Sequence, residues 1–181
     1  MIALAAAIVA PRFTSSEPES VAAPPITGPA SGANPPDLST MTPEQAAGNL
    51  YDRVMRTLSA GDTAQAMSFV PMAISAYGMV GELDNDGLYH LAVLELVSND
   101  PAAARETAGE ILAREPNHLF GLITAGQAEN MLGNSEEAAS LYSQFLESYD
   151  SEIALERAEY AEHEPALPDM RAEAERLANQ P

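Results

Sequence analysis

The chain has 181 residues, 27 acidic side chains against eight basic ones, and a formal net charge of -19. All eight basic residues are arginine, and so acidic a surface repels the phosphates of nucleic acid and of anionic membranes rather than neutralising them. Cysteine is absent, which excludes disulfides, thiolate metal sites and cysteine nucleophiles. The length allows one compact domain of ~110–140 residues plus tails.

Residues 1–12 begin with the apolar, uncharged stretch Met1–Ala10 and end at Pro11-Arg12. A bilayer-spanning helix needs about 20 apolar residues, and a complete signal peptide carries a basic front region that is missing here. Three readings stand. The stretch is the end of a membrane anchor or signal that starts upstream, a short signal cleaved near Ala7–Ala10, or an apolar terminus without a role. Residues 13–41 are rich in Pro, Ser, Ala and Gly, with little besides Val21 and Ile26 to bury. Such a composition does not offset the entropy of ordering, so a mobile linker is expected. An apolar end, a Pro-rich spacer and a folded domain suit a domain tethered to a cell-envelope membrane or exported across it, with the cytoplasmic face left open. Abundant Ala and Arg without lysine suggest a GC-rich bacterial gene.

Folding is expected to start at Thr42-Pro43-Glu44-Gln45, a capping box with proline at the first helical position. Ala46, Leu50, Val54, Met55 and Leu58 follow at helical spacing. Gly61-Asp62 ends this helix and caps the next, which runs towards Tyr77 with a kink or early stop expected at Pro71. A third helix is expected after Asp86, and a fourth from Pro101, capped by Asp100, to about Arg114. Asn117 is read as the cap of a fifth helix, ended by Gly133, and Asn134 or Ser135 as the cap of a sixth. Ser151–Tyr160 reads as a seventh helix and Pro168–Ala178 as a short last one, so residues 151–181 form an acidic C-terminal cap. No stretch alternates like a strand. The class is all-α.

Residues 85–150 contain one unit written twice. A shift of thirty-four residues, the period of a helix-turn-helix repeat, places Gly87 on Gly121, Leu88 on Leu122, Ala92 on Gly126 and Glu95 on Glu129. Asp100 then falls on Asn134, Ala104 on Ala138 and Ile111 on Phe145. The first helix pair is a degenerate copy, with Ala66 lying 38 residues before Ala104 and the extra length in the loop around Gly81–Asp86. Across 42–150 this resembles the tetratricopeptide repeat (TPR) family. Ala92 and Gly126 match the family's small residue in the first helix, Ala104 and Ala138 that in the second, and Pro116 the closing proline. Leu88 and Leu122 depart from a common aromatic, Glu95 and Glu129 from a common tyrosine, and Asp150 from a second proline. The resemblance implies a solenoid of about three helix pairs whose first helices line a groove for a protein or peptide. Tyr51, Asp52, Tyr89, His90, Phe120, Gln127 and Asn130 are the candidates to line it. No lysine or arginine stands among them, which excludes the family's clamp for a terminal carboxylate.

Catalytic patterns are lacking. No serine occupies a nucleophile elbow and no glycine loop cradles phosphate. Glu159 and His163 are four apart and would share a helix face, but two ligands do not make a metal site. His90 and His118 read as packing or groove residues. Neither a cofactor nor a metal is expected, and the function expected is a non-enzymatic protein-interaction scaffold. The alternative is a structural helical subunit of a larger envelope assembly with no transient ligand.

Overall fold

A computed structural model of the chain describes residues 41–178, and the expectations for residues 1–40 lie outside the described residues. Among the described residues eight helices follow one another: α1 (Pro43–Ser59), α2 (Thr63–Tyr77), α3 (Asn85–Val97), α4 (Pro101–Arg114), α5 (Leu119–Leu132), α6 (Ser135–Ile153), α7 (Ala158–Glu162) and α8 (Leu167–Leu177). A 3-10 turn at Glu164–Ala166 joins the last two. No strand occurs among the described residues. The fold is all-α.

Local chemistry sets the starts of the helices. Gln45 N–H donates to the Thr42 hydroxyl at 3.3 Å, and Thr42 N–H donates back to the Gln45 side chain at 3.1 Å, completing the capping box. Asp62, Asp84 and Asp100 accept from the backbone N–H three residues on, which satisfies donors that the helix itself leaves unpaired.

The same turn closes the first helix of each pair. Gly61, Asn99 and Gly133 all have positive φ, at 81°, 63° and 83°. The residue after each sends its N–H back five positions: Asp62 to Thr57 at 3.1 Å, Asp100 to Glu95 at 2.9 Å and Asn134 to Glu129 at 2.9 Å. This is the Schellman way of ending a helix. Buried Ala66, Ala104 and Ala138 each follow five residues after the turn. The structure therefore contains three copies of one helix-turn-helix unit: α1–α2, α3–α4 and α5–α6. The connection from α2 to α3 spans residues 78–84 and that from α4 to α5 only 115–118, so the longer first spacing sits in that loop.

Helices pack within each pair, and α4 packs on α5, so the units stack; α1, α3 and α5 lie side by side, and α8 lies on α6. Close approach explains which positions stay small. A Cβ on Gly126 would lie 2.8 Å from the ring of Tyr142, and one on Gly121 2.8 Å from Leu112. Fully buried Ala92, Leu94, Ile111, Leu119, Phe120 and Phe145 fill the interior.

Several boundaries differ from the sequence reading. Pro71 does not shorten α2, which runs on to Tyr77 with Pro71 at an exposed position inside it. Asp84 rather than Asp86 precedes α3, which frees Asp86 for other contacts. His118 stands at the cap position of α5, while Asn117 accepts a hydrogen bond from Gln144 at 3.2 Å. Asn134 makes no capping bond because its side chain donates to Glu129 at 2.6 Å. Residues 151–153 continue α6, so the separate seventh helix shrinks to Ala158–Glu162.

Gly126→Ala is expected to destabilise the fold by about 1–2 kcal/mol, because overpacking against the buried Tyr142 ring outweighs the gain in helix propensity. Gly109→Ala, at an exposed position where a Cβ meets nothing within 4 Å, is expected to stabilise by about 0.5–1 kcal/mol. Urea unfolding of both variants beside the parent checks the opposite signs.

Candidate functional site

After α6 the chain turns back at Glu156 (φ 51°) and lays α7 across the first turns of α3 and α5. Arg157 begins this return. Its guanidinium pairs with Glu115 and donates to Glu152 at 3.2 Å, while Glu115 also accepts from Asn85 at 2.8 Å. Tyr160 then enters the core at 3% exposure. Its hydroxyl donates to Glu152 at 3.0 Å and accepts from the Leu119 N–H at 3.0 Å. That N–H is one of the donors left unpaired at the start of α5. Burial, with the Glu152 hydrogen bond and charge assisting, pushes the Tyr160 phenol far above its usual range, so it stays a donor.

All three histidines meet this return segment. His118, fully buried, donates from Nε2 to Glu159 at 3.2 Å. His163 closes α7, and its Nε2 lies 3.0 Å from Asp86 Oδ1 and 3.0 Å from His90 Nε2. His90 Nδ1 is 3.0 Å from the Tyr77 hydroxyl and 3.6 Å from Asp86 Oδ2. The Glu159–His163 pair suggested by spacing is thus split, because the non-helical backbone of His163 ends α7 and the two side chains find different partners.

Aromatic rings hold the imidazoles in place. Tyr51 stacks on His90 with centroids 3.9 Å apart. Tyr89 and Phe120 stack on each other at 4.2 Å, and both present faces or edges to His163, at 5.2 and 5.3 Å. Offset and edge-on arrangements of this kind add specificity beyond burial alone.

Of the seven groove candidates, Tyr51, Tyr89, His90 and Phe120 come together, and Tyr160 and His163 of the return segment pack on the last three of them. Tyr51 and Tyr89 are 6% exposed and Phe120 is fully buried, so these rings pack the interior instead of facing an open groove. Asp52 is exposed and lines a cavity of about 430 Å³ with Glu44, Tyr77, Glu82, Asp84, Asp86, His90 and Glu162. Gln127 and Asn130 lie elsewhere, beside Tyr142 and α8, where Gln127 donates to Glu173 at 2.9 Å. Asp86, Tyr77 and Tyr160 were missed. The i, i+4 spacing of Asp86 and His90 was the signal for the first of these.

Fold and site together define a stack of three helix-turn-helix units closed by a C-terminal segment that returns to the first helices. No family model and no curated protein matches the chain. Among solved structures it is similar to the C-terminal TPR-containing domain of a Plasmodium falciparum protein described as an FK506-binding protein, at 17% identity and a TM-score of 0.44, covering 75% of this chain and 99% of that one.

Two tests follow from the packing. Tyr160→Phe removes the partner of the Leu119 N–H and leaves Glu152 short of a donor, so a loss of about 1–3 kcal/mol is expected in urea unfolding. Amide exchange at Leu119 should rise in the same variant. The second test uses His90, whose pKa falls from 6.5 to about 4, chiefly through burial and despite the nearby Asp86. Unfolded chains take up this proton below pH 6.5 and folded ones do not, so stability is present above pH 6.5 and is lost as pH falls towards 4. The His90 share is about 3 kcal/mol, and comparing parent with His90→Gln across this window in unfolding titrations isolates it.

Proposed function

We propose that the protein is an interaction module that holds a basic segment of a protein partner against α1 and α3. The carrying observation is the acidic cavity, lined by six carboxylates (Glu44, Asp52, Glu82, Asp84, Asp86 and Glu162) and by no arginine. Those carboxylates repel one another, and a cationic side chain or amino group entering among them relieves that repulsion. The stacked repeat supplies a rigid wall, as in helical repeat proteins that bind along the face of their first helices. A non-enzymatic role fits this reading. So does tethering to a bacterial envelope membrane, or export across it, through residues 1–12, a reading supported by the apolar stretch and the Pro-rich spacer behind it. No helix among the described residues is long and apolar enough to cross a membrane.

A second reading, a fixed subunit of a larger assembly, has one observation in its favour. Helix α2 carries no charged side chain in this acidic chain, and Met67, Met72 and the following Met79 are exposed. Uncharged, methionine-bearing faces suit permanent contacts.

The experiment is capture from the native cell envelope by the full chain, followed by titration of the captured partner. Asp52→Arg/Glu82→Arg, both on exposed rims, is expected to weaken binding at least tenfold with an unchanged circular dichroism spectrum, and raised salt should weaken the parent likewise. Equal binding by parent and variant removes the acidic cavity as the docking site. A partner lost only on charging α2, by Met72→Glu, supports the subunit reading instead.

A further inference from the structure

We infer that Asp86, His90 and His163 form a binding site for a divalent transition-metal ion, Zn²⁺ foremost. The donor atoms of the three side chains lie within 4.8 Å of one another. Two of the separations, His90 Nε2 to His163 Nε2 and His163 Nε2 to Asp86 Oδ1, are 3.0 Å. An ion held tetrahedrally by bonds of about 2.0–2.1 Å keeps neighbouring donors about 3.3–3.4 Å apart, so these side chains need to part by only a few tenths of an ångström to take it.

Hydrogen bonding alone serves this cluster poorly. Whichever tautomers the rings adopt, His163 Nε2 lies 3.0 Å from both His90 Nε2 and Asp86 Oδ1 and cannot serve both well. One N–H cannot point fully at two acceptors, and a bare nitrogen has nothing to give the carboxylate. A cation shared by the three satisfies them together. The outer groups fit as well. With His90 Nε2 turned to the ion, its Nδ1–H donates to the Tyr77 hydroxyl at 3.0 Å, the partner that fixes tautomer and ring orientation in metal-bound histidines. Tyr51 stacked on His90, with Tyr89 and Phe120 around His163, limits ring rotation before any ion arrives.

Donor chemistry chooses the ion. Two imidazoles and one carboxylate suit Zn²⁺ and its first-row neighbours, whereas Ca²⁺ and Mg²⁺ prefer all-oxygen sites. The side chains keep 25%, 14% and 19% of their area open for Asp86, His90 and His163, so an ion reaches them from solvent. Asp86 and His90 also border the acidic cavity, whose remaining carboxylates concentrate cations and leave room for a water or a further donor as fourth ligand. Bound there, the ion clips residue 163 to α3 and holds the return segment closed. The site stands independently of the basic-partner reading, since it needs no protein ligand.

The test is calorimetric titration of the untagged, chelator-stripped full chain with ZnCl₂ in millimolar Mg²⁺, which masks loose binding to surface carboxylates. One saturable Zn²⁺ per chain is expected, with low-micromolar affinity or better. His163→Gln and Asp86→Asn should each weaken it by more than the ~10–100-fold that loss of an outer-shell partner costs, and Tyr77→Phe by an amount within that range. Co²⁺ in place of Zn²⁺ should give visible d–d absorption that His163→Gln abolishes in a chain of unchanged helix content. Only weak, multiple binding, or binding and Co²⁺ absorption equal in parent and variants, overturns the site.

Discussion

A helix that must end in a left-handed residue is the constraint on which this fold depends. At Gly61, Asn99 and Gly133 the backbone turns with positive φ, and the next N–H reaches back five residues. That geometry sends the second helix of each unit back along the first. Glycine adopts it at little cost and asparagine is among the few other residues that tolerate it. Once the turn is set, Ala66, Ala104 and Ala138 arrive at the same place in each unit, and the close packing between helices follows.

The repeat was legible in the sequence because it is written in small residues and turn residues, whose meaning is local. Gly126 marks a place where Tyr142 leaves no space for a side chain, and Gly121 a place pressed by Leu112. The helix starts at Thr42, Asp62 and Asp100 were equally local, each resting on a side chain and an N–H three positions apart. Where a cap residue found a distant or alternative partner, as Asn117 did with Gln144 and Asn134 with Glu129, the local signal misled.

The candidate site was hidden for the opposite reason. Tyr89 and Phe120 read as groove residues because they sit on first helices, yet Tyr160 and His163 come from the far end of the chain to cover them. Spacing paired His163 with Glu159, whereas the fold pairs it with Asp86 and gives Glu159 to His118. No periodicity records such a partner, since it is chosen by how the return segment crosses the stack. Two of the three proposed metal ligands, Asp86 and His90 four apart on α3, were written locally. The third was not.

The clasp between Asp86 and His163 also has a place in time. It joins positions 77 apart, while most other packing lies within a unit or between adjacent ones. Local contacts close first on folding, and those of greatest sequence separation wait for them. By the logarithmic cost of loop closure, drawing together ends 77 apart rather than one repeat apart adds only about 0.7 kcal/mol, so delay rather than instability sets the clasp apart. Native-state openings favour short segments held at a few points, and α7 is five residues held chiefly by Tyr160 and by the His163 that follows it. Lifting it would expose the Tyr89 and Phe120 rings on which His163 and Tyr160 pack, a face that the closed chain conceals.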